Sequence, residues 1–422
     1  MQRREFLTTT AALGAASYSR ILGANDRLNV GVIGAGGRGS AVWRGFLEEP
    51  EVNPAAACDV YEPHLERALS DSGNRAKAYR DFRKLLEHRG LDAVIVGTPD
   101  HWHAIQTVMA CEAGYDVYVE KPLSLTIREG RLMVDAAHKY KRVVQTGSQQ
   151  RSGPHYAEAV ELIKAGEIGA VHHAEAGFER NSMPGFAEEG KTPAALPSNF
   201  NYDMFLGPAP EVEYSPMRSI YHFRWFWDYS GGQMTNWGAH NIDIARWALG
   251  VESAASVSGY GGRYAVKDGG ETPDVQEVLY KVKDAVLTWS VRELNGTRGS
   301  YLTFHGTKAN LEINRGGYRI TGEEWKKKPV GWNREVQPPY DGNDMTRFHI
   351  RNFLDCVKTR ERPNADVETG HRTAVMCHLG NIAARLNRSL EWDAEGERIV
   401  GDEEANGWTT KQYRAPWRLE GI

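Results

Sequence analysis

The segment Gly34-Ala35-Gly36-Gly37-Arg38-Gly39 constrains this chain more than any other feature. It follows an apolar run, Leu28-Asn29-Val30-Gly31-Val32-Ile33, and opens a stretch of helical character from Ser40 to Leu47. Strand, glycine turn and helix in that order form the G-x-G-x-x-G unit of a doubly wound parallel sheet. The glycines have separate tasks. Gly34 permits the tight turn, Gly36 lets the backbone approach a pyrophosphate, and Gly39 lets helix and strand pack closely, with Gly37 and Arg38 completing the loop. The N–H groups at the helix start carry a partial positive charge that suits phosphate oxygens.

A second strand is predicted between Val52 and Val60, ending in Cys58-Asp59. Asp59 stands 20 residues beyond Gly39. A carboxylate at that spacing accepts ribose hydroxyls and repels a 2′-phosphate, so NAD is the expected cofactor. Arg38 keeps NADP open, since a guanidinium there is able to accept a 2′-phosphate. A third strand, Leu91 to Val96, leads into Gly97-Thr98-Pro99-Asp100. Thr98 and Pro99 are expected at the cofactor, because such sheets bind ligands beyond their carboxyl edge. His101 and His103 lie two positions apart and would need distant partners to hold zinc, so no metal is expected. His103 is instead expected to pack near the cofactor.

Tyr115-Asp116-Val117-Tyr118-Val119 is the next strand, and Glu120-Lys121-Pro122 ends it. A lysine delivered there adds an acid–base group to a nucleotide site. Beside a nicotinamide cation its ammonium is disfavoured by like charge, which makes Lys121 a usable proton carrier near neutral pH. The competing reading is a surface ion pair with Glu120. Val143 to Gly147 closes a domain expected to span residues 28–148.

Residues 1–24 are set aside from the fold. Arg3-Arg4-Glu5-Phe6-Leu7 followed by an Ala- and Thr-rich stretch reads as a twin-arginine export signal, which places the mature protein in the periplasm or otherwise outside the cytoplasm. The stretch is too short and mild for a stable membrane span. A protein exported with its cofactor inside should hold that cofactor tightly. The net charge of −4 and the lack of a basic tail argue against nucleic acid. Cys58, Cys111, Cys356 and Cys377 are widely spaced and read as buried small hydrophobes.

Residues 149–422 change character. Val278, Tyr280 and Val282 alternate with Leu279, Lys281 and Lys283, and Leu287, Trp289 and Val291 alternate with Thr288, Ser290 and Arg292. With Asp284-Ala285 between them, these runs predict an antiparallel hairpin with one wet face. The domain is therefore α+β, with an open sheet whose outer face is available to a second subunit. Ile350, Phe353, Leu354 and Val357, and further on Val375, Leu379, Ile382 and Leu386, follow helical spacing and read as core helices joining the domains. In Gly231 to Asp243, helical spacing would align Asn236, His240 and Asp243 on one face. A polar stripe there is costly unless it faces a cavity, and His240 is suited to exchange a proton near neutral pH.

These pieces resemble the glucose–fructose oxidoreductase, inositol dehydrogenase and MocA family, from Leu28 to Trp392. Matching motifs are GAGGRG at 34–39, GTPDHWH at 97–103, EKPL at 120–123, FLGPAP at 205–210 and GGQMTNWGAHNID at 231–243. The resemblance implies an α/β fold: an N-terminal Rossmann sheet, doubly wound and parallel, plus a C-terminal α+β domain with a large open, mainly antiparallel sheet that mediates homo-oligomers. It implies Lys121 and His240 as catalytic groups. Asn236 stands where the family often has Asp, and Asp243 matches a later acid that would hold a sugar hydroxyl. Arg151, Tyr221, His222, Arg224 and Trp225 are expected near a carbohydrate substrate. The implied reaction moves a hydride between the nicotinamide and a hydroxyl carbon of a sugar, cyclitol or glycoside. A redox-cycling glycosidase of the same superfamily is the first alternative, and a non-catalytic nucleotide-binding protein the second.

Overall fold

The computed structural model describes residues 27–183, 185 and 195–419. The arginine pair and apolar run of residues 1–24 lie outside the described residues. Six strands form the first sheet: β1 (Leu28–Ile33), β2 (Val52–Cys58), β3 (Lys77–Tyr79), β4 (Ala93–Val96), β5 (Asp116–Val119) and β6 (Val144–Thr146). Their order is β3-β2-β1-β4-β5-β6 and every pairing is parallel. The order reverses at β1, so the glycine turn lies at the switch point where such sheets open a crevice. All residues of β4 and β5 are buried, as expected of strands covered on both faces.

The second sheet holds β7 (Val171–Glu179), β8 (Ser256–Gly262), β9 (Val275–Val282), β10 (Ala285–Arg292), β11 (Gly299–Gly306), β12 (Ala309–Asn314) and β13 (Gly317–Gly322). A small ribbon, β14 (Glu324–Trp325) with β15 (Lys328–Pro329), precedes β16 (Arg334–Val336), and β17 (Leu390–Asp393) and β18 (Arg398–Ile399) finish it. The order is β16-β13-β12-β11-β7-β10-β9-β8-β17-β18. Only β7 with β10 is parallel within it. The predicted hairpin is β9–β10, with its turn one residue earlier than expected. Ala285 already pairs with Val282, so Lys283-Asp284 make the turn, and Lys283 takes a positive φ of 39°. Tyr280, Trp289 and Val291 face a core shared with the helices Pro154–Lys164, Ala239–Leu249 and Val367–Leu386. Glu277, Leu279 and Lys281 face outward.

The two sheets are locked by helices from the end of the chain. Ile350, Phe353 and Leu354 of the helix Gly342–Thr359 join Val30, Phe46 and Tyr118 in one buried cluster. Each such side chain contributes about 2 kcal/mol on burial, which makes this contact structural rather than incidental. Asp341 caps the helix through the N–H groups of Asn343 and Asp344.

Candidate active site

A cavity of about 600 Å³ opens at the carboxyl edge of the first sheet. Gly34, Gly36, Gly37, Arg38, Asp59, Thr98 and Pro99 line it, together with Glu120, Lys121 and Asn236. Gly34 takes φ +82°, and a Cβ on it would sit 2.6 Å from the Thr98 amide nitrogen. A Cβ on Gly39 would sit 1.9 Å from the Gly34 carbonyl oxygen. Gly39 thus lies beneath the turn rather than in the wall. The turn is held from the side by Asp59, which accepts from the N–H of Ala35 (2.7 Å) and of Tyr61 (2.9 Å). The bare backbone, the open helix N-terminus and a carboxylate at the end of β2 fit a dinucleotide's pyrophosphate and ribose. Beside Asp59 the rim is closed by an antiparallel bridge between Tyr61 and Phe200, with Glu62 N–H on the Asn199 carbonyl and Asn201 N–H on the Val60 carbonyl.

Arg38 is engaged within the protein on one edge of its guanidinium. Its Nε donates to Glu120 (3.0 Å) and its Nη2 reaches Thr346 (3.4 Å). Glu120 is buried at the end of β5 beside Gly147, where a Cβ would stand 2.7 Å from its carboxylate. The competing reading, a Glu120–Lys121 surface pair, is not realised: Glu120 turns to Arg38. His103 stays out of the cavity wall and ties two loops together, with Nδ1 on the Pro122 carbonyl (2.7 Å) and Nε2 on the Thr98 carbonyl (2.9 Å).

Lys121 Nζ donates to both oxygens of Asn236, to Oδ1 at 2.8 Å and to the main-chain carbonyl at 3.0 Å. Burial holds its pKa down to about 8, with Arg224 and Arg38 adding repulsion and Glu120 and Asp100 opposing them. Burial, and not only a nicotinamide charge, therefore tunes this amine. Asn236 sits in a π-helical turn, Met234–Gly238, ahead of the helix Ala239–Leu249. The wider turn breaks the predicted stripe. Asn236 reaches the lysine, His240 lies buried beside Trp237 with ring centroids 5.8 Å apart, and Asp243 points elsewhere. Burial first, then Lys121, Arg315 and Arg38, pushes the His240 pKa well below its usual range, so the ring is neutral at pH 7.

Asp243 and Arg151 are brought together, but with each other. Arg151 donates to both Asp243 oxygens at 2.7 and 2.9 Å, and Thr373 adds a bond at 2.7 Å. Both are buried and outside the cavity wall, away from where a substrate-facing position was expected. Tyr221 and Arg224 do line the cavity, the guanidinium lying over the Tyr221 ring at 4.8 Å. Trp225 is buried and donates to Glu293, and His222 packs beside it outside the wall. Ser230 and Asp100 are among the wall groups not singled out from sequence. Ser230 donates to Asp100 at 2.6 Å, and burial raises the Asp100 carboxyl's pKa. Asp100 directly follows Thr98-Pro99 in the loop already assigned to the site, which was signal enough to include it. Among the described residues, no group of three or more His, Cys, Asp or Glu is placed to hold a metal ion.

Fold and cavity together define a Rossmann-type nucleotide-binding protein with an appended sheet domain. Residues 28–148 match the oxidoreductase family, NAD-binding Rossmann fold, and residues 170–260 and 320–419 match the oxidoreductase family, C-terminal alpha/beta domain. The chain belongs to the Gfo/Idh/MocA family, and its first domain binds NAD. It is 32% identical over 181 residues to the scyllo-inositol 2-dehydrogenase (NAD(+)) of Bacillus subtilis, over 43% of this chain and 42% of that protein. It is 30% identical over 161 residues to a glycosyl hydrolase family 109 protein of Shewanella baltica, over 36% of this chain and 35% of that one. The match thus spans less than half the length of these curated relatives. A levoglucosan dehydrogenase in complex with NADH shares the fold, with TM-score 0.69 and 18% identity over 86% of this chain and 99% of that one.

Proposed function

We propose that this chain is an NAD-dependent oxidoreductase that moves a hydride between a tightly held nicotinamide and a hydroxyl carbon of a sugar, cyclitol or glycoside. One observation carries the reading: an amine with a pKa of about 8 shares a cavity wall with the glycine turn and Asp59. NAD, when bound, accepts a hydride from a carbinol carbon. Lys121, in its neutral form, takes the hydroxyl proton. Asn236 holds the lysine nitrogen in place, and neutral His240 offers a hydrogen bond to a substrate hydroxyl. Tyr221 and Arg224 shape the wall on which a sugar ring would rest.

The purified protein's absorbance and fluorescence, read with a panel of sugars, cyclitols and glycosides, test this reading. NADH that appears and persists with one of them supports it. Release of an aglycone without lasting NADH supports instead the redox-cycling glycosidase, a reading favoured by the named Shewanella relative. A protein that neither contains nor takes up the nucleotide sinks both. Unchanged function after replacing both Lys121 and His240 would leave a non-catalytic nucleotide-binding protein.

We also assign residues 1–24 to twin-arginine export, supported by Arg3-Arg4 before Phe6-Leu7. Lysines at both arginine positions should keep a folded reporter in the cytoplasm. Leu279 and Val286, 52% and 42% exposed on the outer face of the second sheet, support pairing of copies through that face. Sedimentation of the Leu279→Glu variant as a monomer, against an oligomeric parent, is the expected result.

A further inference from the structure

A side-chain amide has two ends of nearly equal size, one donating and one accepting, and its hydrogen-bond partners settle which end goes where. Two such amides stand in line behind Lys121. Asn236 Nδ2 donates to Gln233 Oε1 at 3.0 Å, and Gln233 Nε2 donates to Glu293 Oε1 at 2.8 Å. Glu293 ends this line and is fully buried. Its carboxylate is also held by Arg180 Nη2 at 2.7 Å and Trp225 Nε1 at 3.2 Å, with Arg263 at 3.7 Å. Its own N–H is fixed on the Asp274 carbonyl at 2.8 Å.

We infer that Glu293 is a positioning residue for Lys121: it fixes the direction of a two-amide relay, through Gln233 and Asn236, that turns a carbonyl oxygen toward the lysine nitrogen. A carboxylate only accepts. Gln233 must therefore give its N–H to Glu293 and has its carbonyl left for Asn236. Asn236 gives its N–H to that carbonyl and has its own oxygen left for Lys121. Reversing either amide would set donor against donor or acceptor against acceptor in a buried site, which leaves polar groups unpaired. Lys121 thus meets two carbonyl oxygens, one from the relay and one from the main chain of Asn236. The relay makes the nitrogen's direction a consequence of a charge two residues removed.

The inference rests on Lys121 being the proton carrier, so its test is read without turnover. The Lys121 midpoint is followed by 13Cε-lysine NMR of the full chain across pH, with the resonance assigned from Lys121→Met. Gln233→Met cuts the relay while keeping the Glu293 charge. It should lower the midpoint by about one pH unit, the worth of one hydrogen bond to a charged group. Glu293→Gln should lower it at least as far. In an Asn236→Asp background the last link accepts whatever stands behind it, so adding Gln233→Met should leave the midpoint where it was. Glu120 and Arg38 from the first domain, Asp100 at the start of its helix, Arg224 from the wall and His240 all face Lys121 and are untouched by these changes.

An unmoved midpoint in Gln233→Met overturns the inference whatever Glu293→Gln does, because Glu293 would then act through its charge alone. Gln233→Met also decides the matter should Glu293→Gln, which leaves Arg180 without its carboxylate, fail to fold. A shifted midpoint in a protein that oxidises no sugar keeps the relay and removes the oxidoreductase reading. Turnover with no shift does the reverse.

Discussion

The glycine turn that begins at Gly34 and the pair of Lys121 with Asn236 border the same cavity by opposite means. The first does so with backbone. Its residues are neighbours in sequence, and what matters is the absence of side-chain atoms at 1.9 and 2.6 Å from other main-chain atoms. The second does so with side chains drawn from far apart: Lys121 meets Asn236 across 115 positions. A site made of backbone fails by volume, when an atom is added. A site made of paired side chains fails by charge, when a partner is removed.

Replacing Lys121 separates the halves most sharply. Lys121→Met should lower the rate of sugar oxidation by about 10³-fold while nucleotide binding, followed by fluorescence titration, is kept. Loss of binding instead would show that the lysine belongs to the cradle. Arg151→Met strands the Asp243 charge in the interior and should cost about 4 kcal/mol in denaturant unfolding. A loss near zero would mean that the pair is solvated, and would return Asp243 to the list of substrate groups. Gly39→Ala forces a carbon against the Gly34 carbonyl and should cost about 3 kcal/mol together with nucleotide affinity.

Acid should act on the wall alone. Oxidation needs the neutral amine, and Lys121 is protonated below about 8, so the rate should fall roughly tenfold for each pH unit below that point. A break well below the ordinary histidine range would transfer the role of base to His240. The smallest effect is expected from Trp225→Phe, which removes one donor to Glu293 and should cost about 1 kcal/mol of stability, by thermal unfolding at matched cofactor load.

The same contrast explains what could be read from the chain. The parallel sheet, its glycine turn and Asp59 were legible because their chemistry is local. The alternation of Leu287, Trp289 and Val291 was legible too, and carried two positions further it sets Glu293 on the inner face, an anomaly visible in sequence. The aligned stripe of Asn236, His240 and Asp243 was not realised, because a π-helical turn shifts the angular spacing on which the reading depended. No local pattern could reveal that Arg151 was spoken for by Asp243, or that Arg38 belonged to Glu120. Each pairing joins residues 82 or more positions apart, which only the folded domain brings together.

The single parallel pairing in the second sheet has a wider consequence. Leaving β7 at Glu179, the chain does not turn back beside itself. It lands on β8 at Ser256, at the far side of β9 and β10, and only then returns. The sheet asks of that excursion sufficient reach and the packing face of the helix Ala239–Leu249. Its content includes Phe200, Tyr221, Arg224, Ser230, Asn236 and His240. Changes to the cavity wall can therefore accumulate in one contiguous stretch, with the strands on either side as fixed moorings.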